Sequence, residues 1–164
     1  MYFIGVILDS KNFENIKAEV KKYKEKIRLI KINTKTIENL QNIKFDLIIL
    51  NKELDKFNKQ EQILKKICQN AKYIALNVDI QMKKNILENV KTNIITFGLN
   101  SKATVTLSSI TQEECLIDLQ RNIENIEKNI IEMGEEHIIL TETSNLRNYE
   151  ILIIYIIFAI FNLK

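Results

Sequence analysis

The chain has no proline, only three glycines in 164 residues, one histidine and two cysteines. Each shortage removes a kind of chemistry. Loops that wrap nucleotide phosphates are built from glycine, because backbone N–H groups must come close to the phosphate without a Cβ in the way. Gly5, Gly98 and Gly134 are too few and too scattered for such a loop. The lone histidine, His137, has no partner that would suggest a Ser/His/Asp or Cys/His nucleophile, and it reads as a surface or edge-strand residue. Cys68 and Cys115 lack CxxC or Cys/His spacing and read as reduced, buried thiols of a cytosolic protein. Charge of one sign is also scarce. The net charge is +3 with Lys and Glu intermixed, so there is no basic block to suggest a nucleic-acid partner. The pairs Glu113-Glu114 and Glu135-Glu136 read as turn and surface charges rather than catalytic carboxylates.

Long apolar runs are rare as well. Ile151–Phe161, ILIIYIIFAIF, is unbroken but falls short of the about 20 residues that span a bilayer. It reads as a core helix, apolar all round because it is covered on most sides; a dimer interface and a membrane-touching tail are the alternatives. The N-terminus, MYFIGVILDSK, does not read as a signal peptide, since its apolar run is short and interrupted by Asp9. With 46% hydrophobic residues the chain can bury a sizeable core, and its length suits one domain over residues 1–164.

What is present is an alternation of strand and helix patterns. Strands are expected at Tyr2–Leu8, Ile27–Ile32, Phe45–Leu50, Tyr73–Leu76 and Asn93–Phe97, with helices at Asn12–Lys26, Thr36–Gln41, Lys59–Gln69 and Gln81–Val90. Helices between strands imply right-handed βαβ crossovers and a parallel sheet over residues 1–100. After Gly98 the pattern turns to short strands at Ala103–Ile110, Cys115–Arg121, Asn129–Met133 and His137–Thr141, with Met133-Gly134-Glu135 as a hairpin turn. A helix over Asn145–Leu163, capped by Ser144 or Asn145, closes the chain. The expected fold is α/β: a Rossmann-like, mostly parallel sheet flanked by helices, with an antiparallel extension in 101–164 and a closing apolar helix.

Several pieces, in order, resemble the middle, ATP-binding domain of the Mur ligases, which join amino acids to cell-wall precursors. Asp46–Asn51 (DLIILN) followed by Leu54-Asp55 is similar to the family's strand ending in Thr-Asn and the Leu-Asp after it. Leu76-Asn77-Val78-Asp79 resembles its Asn-x-Asp turn, Ile95–Asn100 (ITFGLN) its "threonine, aromatic, glycine" strand end, and Asn145–Asn148 (NLRN) its Asn-x-x-Asn helix start. Ile4-Gly5-Val6 matches the family's first strand, which there runs into a glycine-rich loop ending Gly-Lys-Thr.

The resemblance implies a nucleotide site, and the departures from it imply that catalysis is lost. Ile7–Asn12 carries no glycine and no Ser or Thr after Lys11; Leu8 and Asp9 would obstruct a phosphate. Lys11 would be the remnant of the phosphate lysine, against the plainer reading of a solvated lysine at a helix start. Asn145 and Asn148 would lie near the adenine, whose edge an Asn amide can pair, against the reading that they cap the helix. Glu53 stands where the family has a metal-binding His, and Lys65 or Lys66 falls near its modified lysine. No catalytic residue, metal or cofactor is assigned, and ATP with Mg²⁺ is disfavoured. The expected function is that of a non-catalytic, Mur-ligase-related binding or regulatory module in the cytoplasm, linked to cell-wall metabolism, with a partner protein or a second copy as its target. One alternative is a subunit of a split ATP-dependent ligase, active only in a complex. Another is a receiver-like pseudo-response-regulator, in which Asn51 replaces the phosphorylated aspartate at the end of FDLIILN.

Overall fold

The apolar run Tyr2–Ile7 forms β1, which pairs in parallel with β2 (Ile27–Lys31) on one side and β3 (Leu47–Leu50) on the other. β4 (Tyr73–Asn77) adds to β3 and β5 (Asn93–Phe97) to β4, again in parallel. The structure, a computed structural model, describes residues 1–81, 84–111, 113–139 and 146–163. β3 is apolar at every position because both of its faces are covered, as in other parallel sheets.

Two layers of helix provide that cover. On one face, α1 (Ser10–Val20) buries Phe13, Ile16 and Val20 beside α4 (Asn148–Phe161). On the other, α2 (Ile37–Leu40) and α3 (Glu61–Gln69) bury Ile37, Leu64, Ile67 and Cys68 against Ile48, Leu50 and Ile74. Gly5 sits under this second layer, where a Cβ would lie 2.7 Å from Cδ1 of Ile32 and 3.1 Å from the Phe45 ring. α4 is the expected core helix: Ile151, Leu152, Ile153, Ile156, Ile157 and Ile160 are buried. Its one buried carboxylate, Glu150, accepts hydrogen bonds from Nδ2 of Asn15 on α1 (3.1 Å) and from the Arg147 backbone N–H (2.7 Å).

Three further strands extend the sheet. β6 (Val105–Ile110), β7 (Glu114–Leu119) and β10 (Gly134–Ile139) follow β5, and the full order is 2-1-3-4-5-6-7-10. A separate ribbon pairs β8 (Ile123–Glu124) with β9 (Ile130–Ile131). The chain is thus an α/β protein with a mostly parallel, helix-flanked sheet, an antiparallel extension and a closing helix.

Local expectations differ from this in four places. The sheet turns antiparallel one strand later than the pattern suggests: β6 is parallel to β5 and meets it only at Phe97–Val105, while β6–β7 and β7–β10 are antiparallel. A single paired position lets the short loop 98–104 join parallel neighbours, which otherwise need a crossover of a dozen residues or more. Residues 84–90 hold a 3₁₀ turn at Lys84–Ile86 in place of the expected helix; Ile86 is its buried anchor and Asn89 turns the chain at φ 62°. So short a segment with one anchor does not sustain an α-helix. The hairpin falls at Asn125–Asn129, where Oδ1 of Asn125 accepts the N–H groups of Glu127 and Asn129 (2.9 Å each) and Lys128 adopts φ 69°. Gly134, at φ 153°, instead starts β10 beside β7. Finally, Arg147 is the N-cap of α4 rather than Ser144 or Asn145, both of which lie outside the described residues.

Candidate functional site

The strand order 2-1-3-4-5 puts a topological switch between β1 and β3, and in open α/β sheets ligands bind beyond the carboxyl ends of the strands at such a point. Two polar groupings occupy that edge. The first joins three of the motifs singled out in the sequence. Asn51, just past β3, accepts a hydrogen bond from Nδ2 of Asn77 at the end of β4 (2.7 Å), with both residues buried. Oδ1 of Asn77 accepts the Asp79 N–H (2.8 Å), which turns the Asp79 carboxylate toward the loop after β5. There Asp79 Oδ2 takes the Leu99 N–H (2.6 Å), Oδ1 takes Nδ2 of Asn100, and the Tyr149 hydroxyl of α4 reaches Oδ2 (3.1 Å). Burial is the main cause that pushes the Tyr149 phenol above its ordinary pKa, and the Asp79 carboxylate adds to it. Tyr149 therefore stays a donor.

The second grouping lines a cleft of about 370 Å³ beyond β1, β2 and β3. Asp9 precedes α1, yet its side chain makes no cap to the helix and pairs with Lys52 instead. Nζ of Lys31 donates to Oγ of Ser10 (2.6 Å). The Asp9 carboxyl is held below its ordinary pKa, first by the hydrogen bond from Lys52 and also by the charges of Lys52, Lys31 and Lys56. Leu8 is buried just before it. The place where a glycine loop would cradle phosphate thus holds an apolar anchor and an internal ion pair.

The expected site residues are not gathered into one place. Lys11 is exposed in the first turn of α1 and is not among the described residues lining the cleft. Asn148 is the first residue of α4, half-buried, next to Tyr149. Asn145 lies outside the described residues. Glu53 is exposed at the cleft, Lys65 and Lys66 are on α3, and His137 is an exposed β10 residue 3.9 Å from Glu114. Cys68 and Cys115 are free and buried, and burial pushes the Cys68 thiol up to about 12. Sequence reasoning missed Tyr149, Lys31 and Lys52; no local motif marks them, because each meets its partner only through the fold. Among the described residues no group of His, Cys, Asp and Glu is placed to hold a metal ion, and no helix is long and apolar enough to cross a membrane.

Fold and edge together define a Rossmann-like α/β protein whose polar edge is bonded to itself. No family model matches the chain, and no curated protein does. Among solved structures it is similar to the lysine decarboxylase LdcF of Francisella novicida, at 17% identity and a TM-score of 0.37, over 62% of this chain and 15% of that one. A likeness at that level carries no argument about function.

Proposed function

We propose that the chain is a non-catalytic binding module related to the middle domain of the Mur ligases. The observation that carries this reading is the use made of the motif residues. Asn51, Asn77, Asp79 and Asn100 meet at one edge, but they spend their hydrogen bonds on each other, on Leu99 and on Tyr149. In the same way Asp9 and Lys52 occupy each other beside the buried Leu8. A catalytic edge would leave such groups free to meet phosphates or a metal ion. Isothermal titration with ATP and Mg²⁺ tests this. No binding at micromolar strength is expected, and micromolar binding with turnover would sink the reading.

A second reading, a receiver-like pseudo-regulator, draws on the strand order 2-1-3-4-5, which receivers share. Asn51 then stands where a phosphorylated aspartate would, and its amide has no carboxylate to accept a phosphoryl group. Acetyl phosphate should label an Asn51→Asp chain if this reading holds and leave it unlabelled if it does not.

A further inference from the structure

The cleft of about 370 Å³ beyond β1, β2 and β3 holds more positive charge than its own carboxylates neutralise. Three loops build it, made neighbours by the strand order 2-1-3. Lys31 ends β2 and Lys35 follows it, while Lys52 and Lys56 come from the segment after β3. Among the described residues lining the cleft, only Asp9 and Glu53 oppose these four lysines. Asp9 is taken by Lys52, and Lys31 donates to the neutral Ser10. Among the described residues no carboxylate pairs with Lys35 or Lys56. The charges of Lys31 and Lys56 nevertheless reach the Asp9 carboxyl together with that of Lys52, so three ammonium groups bear on one place.

Ammonium groups gathered around a single carboxylate leave a field that favours a further anion. Lys31 and Lys52 are half-buried, where salt screens a charge less than on open surface. Ser10 accepts from Lys31 through Oγ, which leaves its O–H free to donate. The floor is apolar, with Ile7, Ile32 and Phe57 buried. At about 370 Å³ the cleft is at the small end of ligand pockets. It has no glycine loop to wrap a chain of phosphates, and lysines take phosphate or carboxylate as point charges without a fixed fork. The occupant that fits is small, doubly negative and partly apolar.

We infer that this cleft binds a compact organic dianion, a small phosphate monoester or dicarboxylate, held by Lys31, Lys35, Lys52, Lys56 and the Ser10 hydroxyl, with Asp9 as an internal competitor for Lys52. The inference rests on the reading of the chain as a binding module and names the chemistry that module takes.

The test is an NMR titration of the amide signals with inorganic phosphate and, separately, with succinate, each against sodium chloride at matched ionic strength. Saturable shifts are expected at Ser10, Lys31–Lys35 and Lys52–Lys56, with a dissociation constant of about 1 mM for so few ligand atoms. Chloride should not reproduce them. Response to phosphate alone points to a phosphoryl ligand and response to succinate alone to a dicarboxylate; either supports the inference. Lys35→Ala and Lys56→Ala, at exposed positions, should each weaken binding about threefold or more, and Lys66→Ala on α3 should not. Asp9→Asn should tighten it, because the competitor for Lys52 loses its charge. No saturable shift with either anion, equal shifts with chloride, indifference to Lys56→Ala, or weaker binding in Asp9→Asn would overturn the inference. Those results would leave the binding-module reading standing, whereas ATP turnover would sink that reading whatever the small anions do.

Discussion

The carboxylate of Asp79 lies 2.9 Å from the point where a Cβ on Gly98 would be, so the glycine is what allows Asp79 to reach the Leu99 N–H and Asn100. Gly98→Ala should push that carboxylate off the loop. Overpacking of this kind costs about 1–3 kcal/mol, read as a lower midpoint in urea unfolding. The cost should shrink in an Asp79→Ala background, because the clash and the hydrogen bonds share one partner. Equal costs in both backgrounds would show that the two residues are uncoupled.

Gly5 makes the same kind of prediction through apolar packing. Gly5→Ala places a methyl against Cδ1 of Ile32 at 2.7 Å and should destabilise by about 1–3 kcal/mol. Ile32→Val removes that Cδ1, so the double variant should recover part of the loss. Denaturant melts of the two single variants and the double variant decide it.

Cys68 should be silent to thiol reagents in the folded chain and react only on unfolding, since burial raises its pKa from 9.0 to about 12. The raised value also sets a pH dependence. The unfolded chain loses this proton from about pH 9, while the folded chain keeps it until about 12. The thiol's contribution is therefore intact below pH 9 and lost as pH rises through that window, at up to about 1.4 kcal/mol per pH unit. Cys68→Ala should flatten the fall between pH 9 and 10. An unchanged slope would count against the burial.

Asp9 works in the opposite direction. Its carboxyl is held low chiefly by Lys52, so what the pair contributes is present above the ordinary value of 3.8 and disappears as pH falls through the lower folded value. The pair is largely exposed, and its effect on stability should be small and salt-sensitive. Lys52→Met should move the Asp9 titration, followed by NMR, back toward 3.8. An unmoved titration would show that Lys31 and Lys56 suffice.

Much of the parallel part was legible because its strands are apolar runs bounded by charged helices, and Phe13, Ile16 and Val20 mark the inner face of α1 at helical spacing. The extension was less legible. Ile130-Ile131 reads as a strand equally well whether it pairs with β10 or with β8, and Gly134 reads as a hairpin turn whether or not the chain reverses there. Residues 84–90 carry Ile86, Leu87 and Val90 near helical spacing, but only Ile86 is fully buried, while Leu87 and Val90 pack at the rim of the same cluster. At the polar edge the motifs around Asn77, Asp79 and Asn100 could be picked out locally. Tyr149 could not, since it stands 70 positions from Asp79 and nothing local pairs it with that carboxylate, although it directly follows the Asn145–Asn148 motif.

The single paired position between β5 and β6 has a mechanical meaning. Backbone ladders hold the sheet firmly on either side of it, but at Phe97–Val105 the two parts share one backbone hydrogen bond, from the Gly98 N–H to the Val105 carbonyl (3.2 Å), and are otherwise joined through the Thr96 hydroxyl, which meets the Thr104 hydroxyl (3.0 Å) and N–H (2.9 Å), and by α4 lying across the joint. Such a seam is where a protein opens first. Amide exchange should show β6, β7 and β10 unzipping together as a flap, with α4 as the latch and the Tyr149–Asp79 bond as its catch.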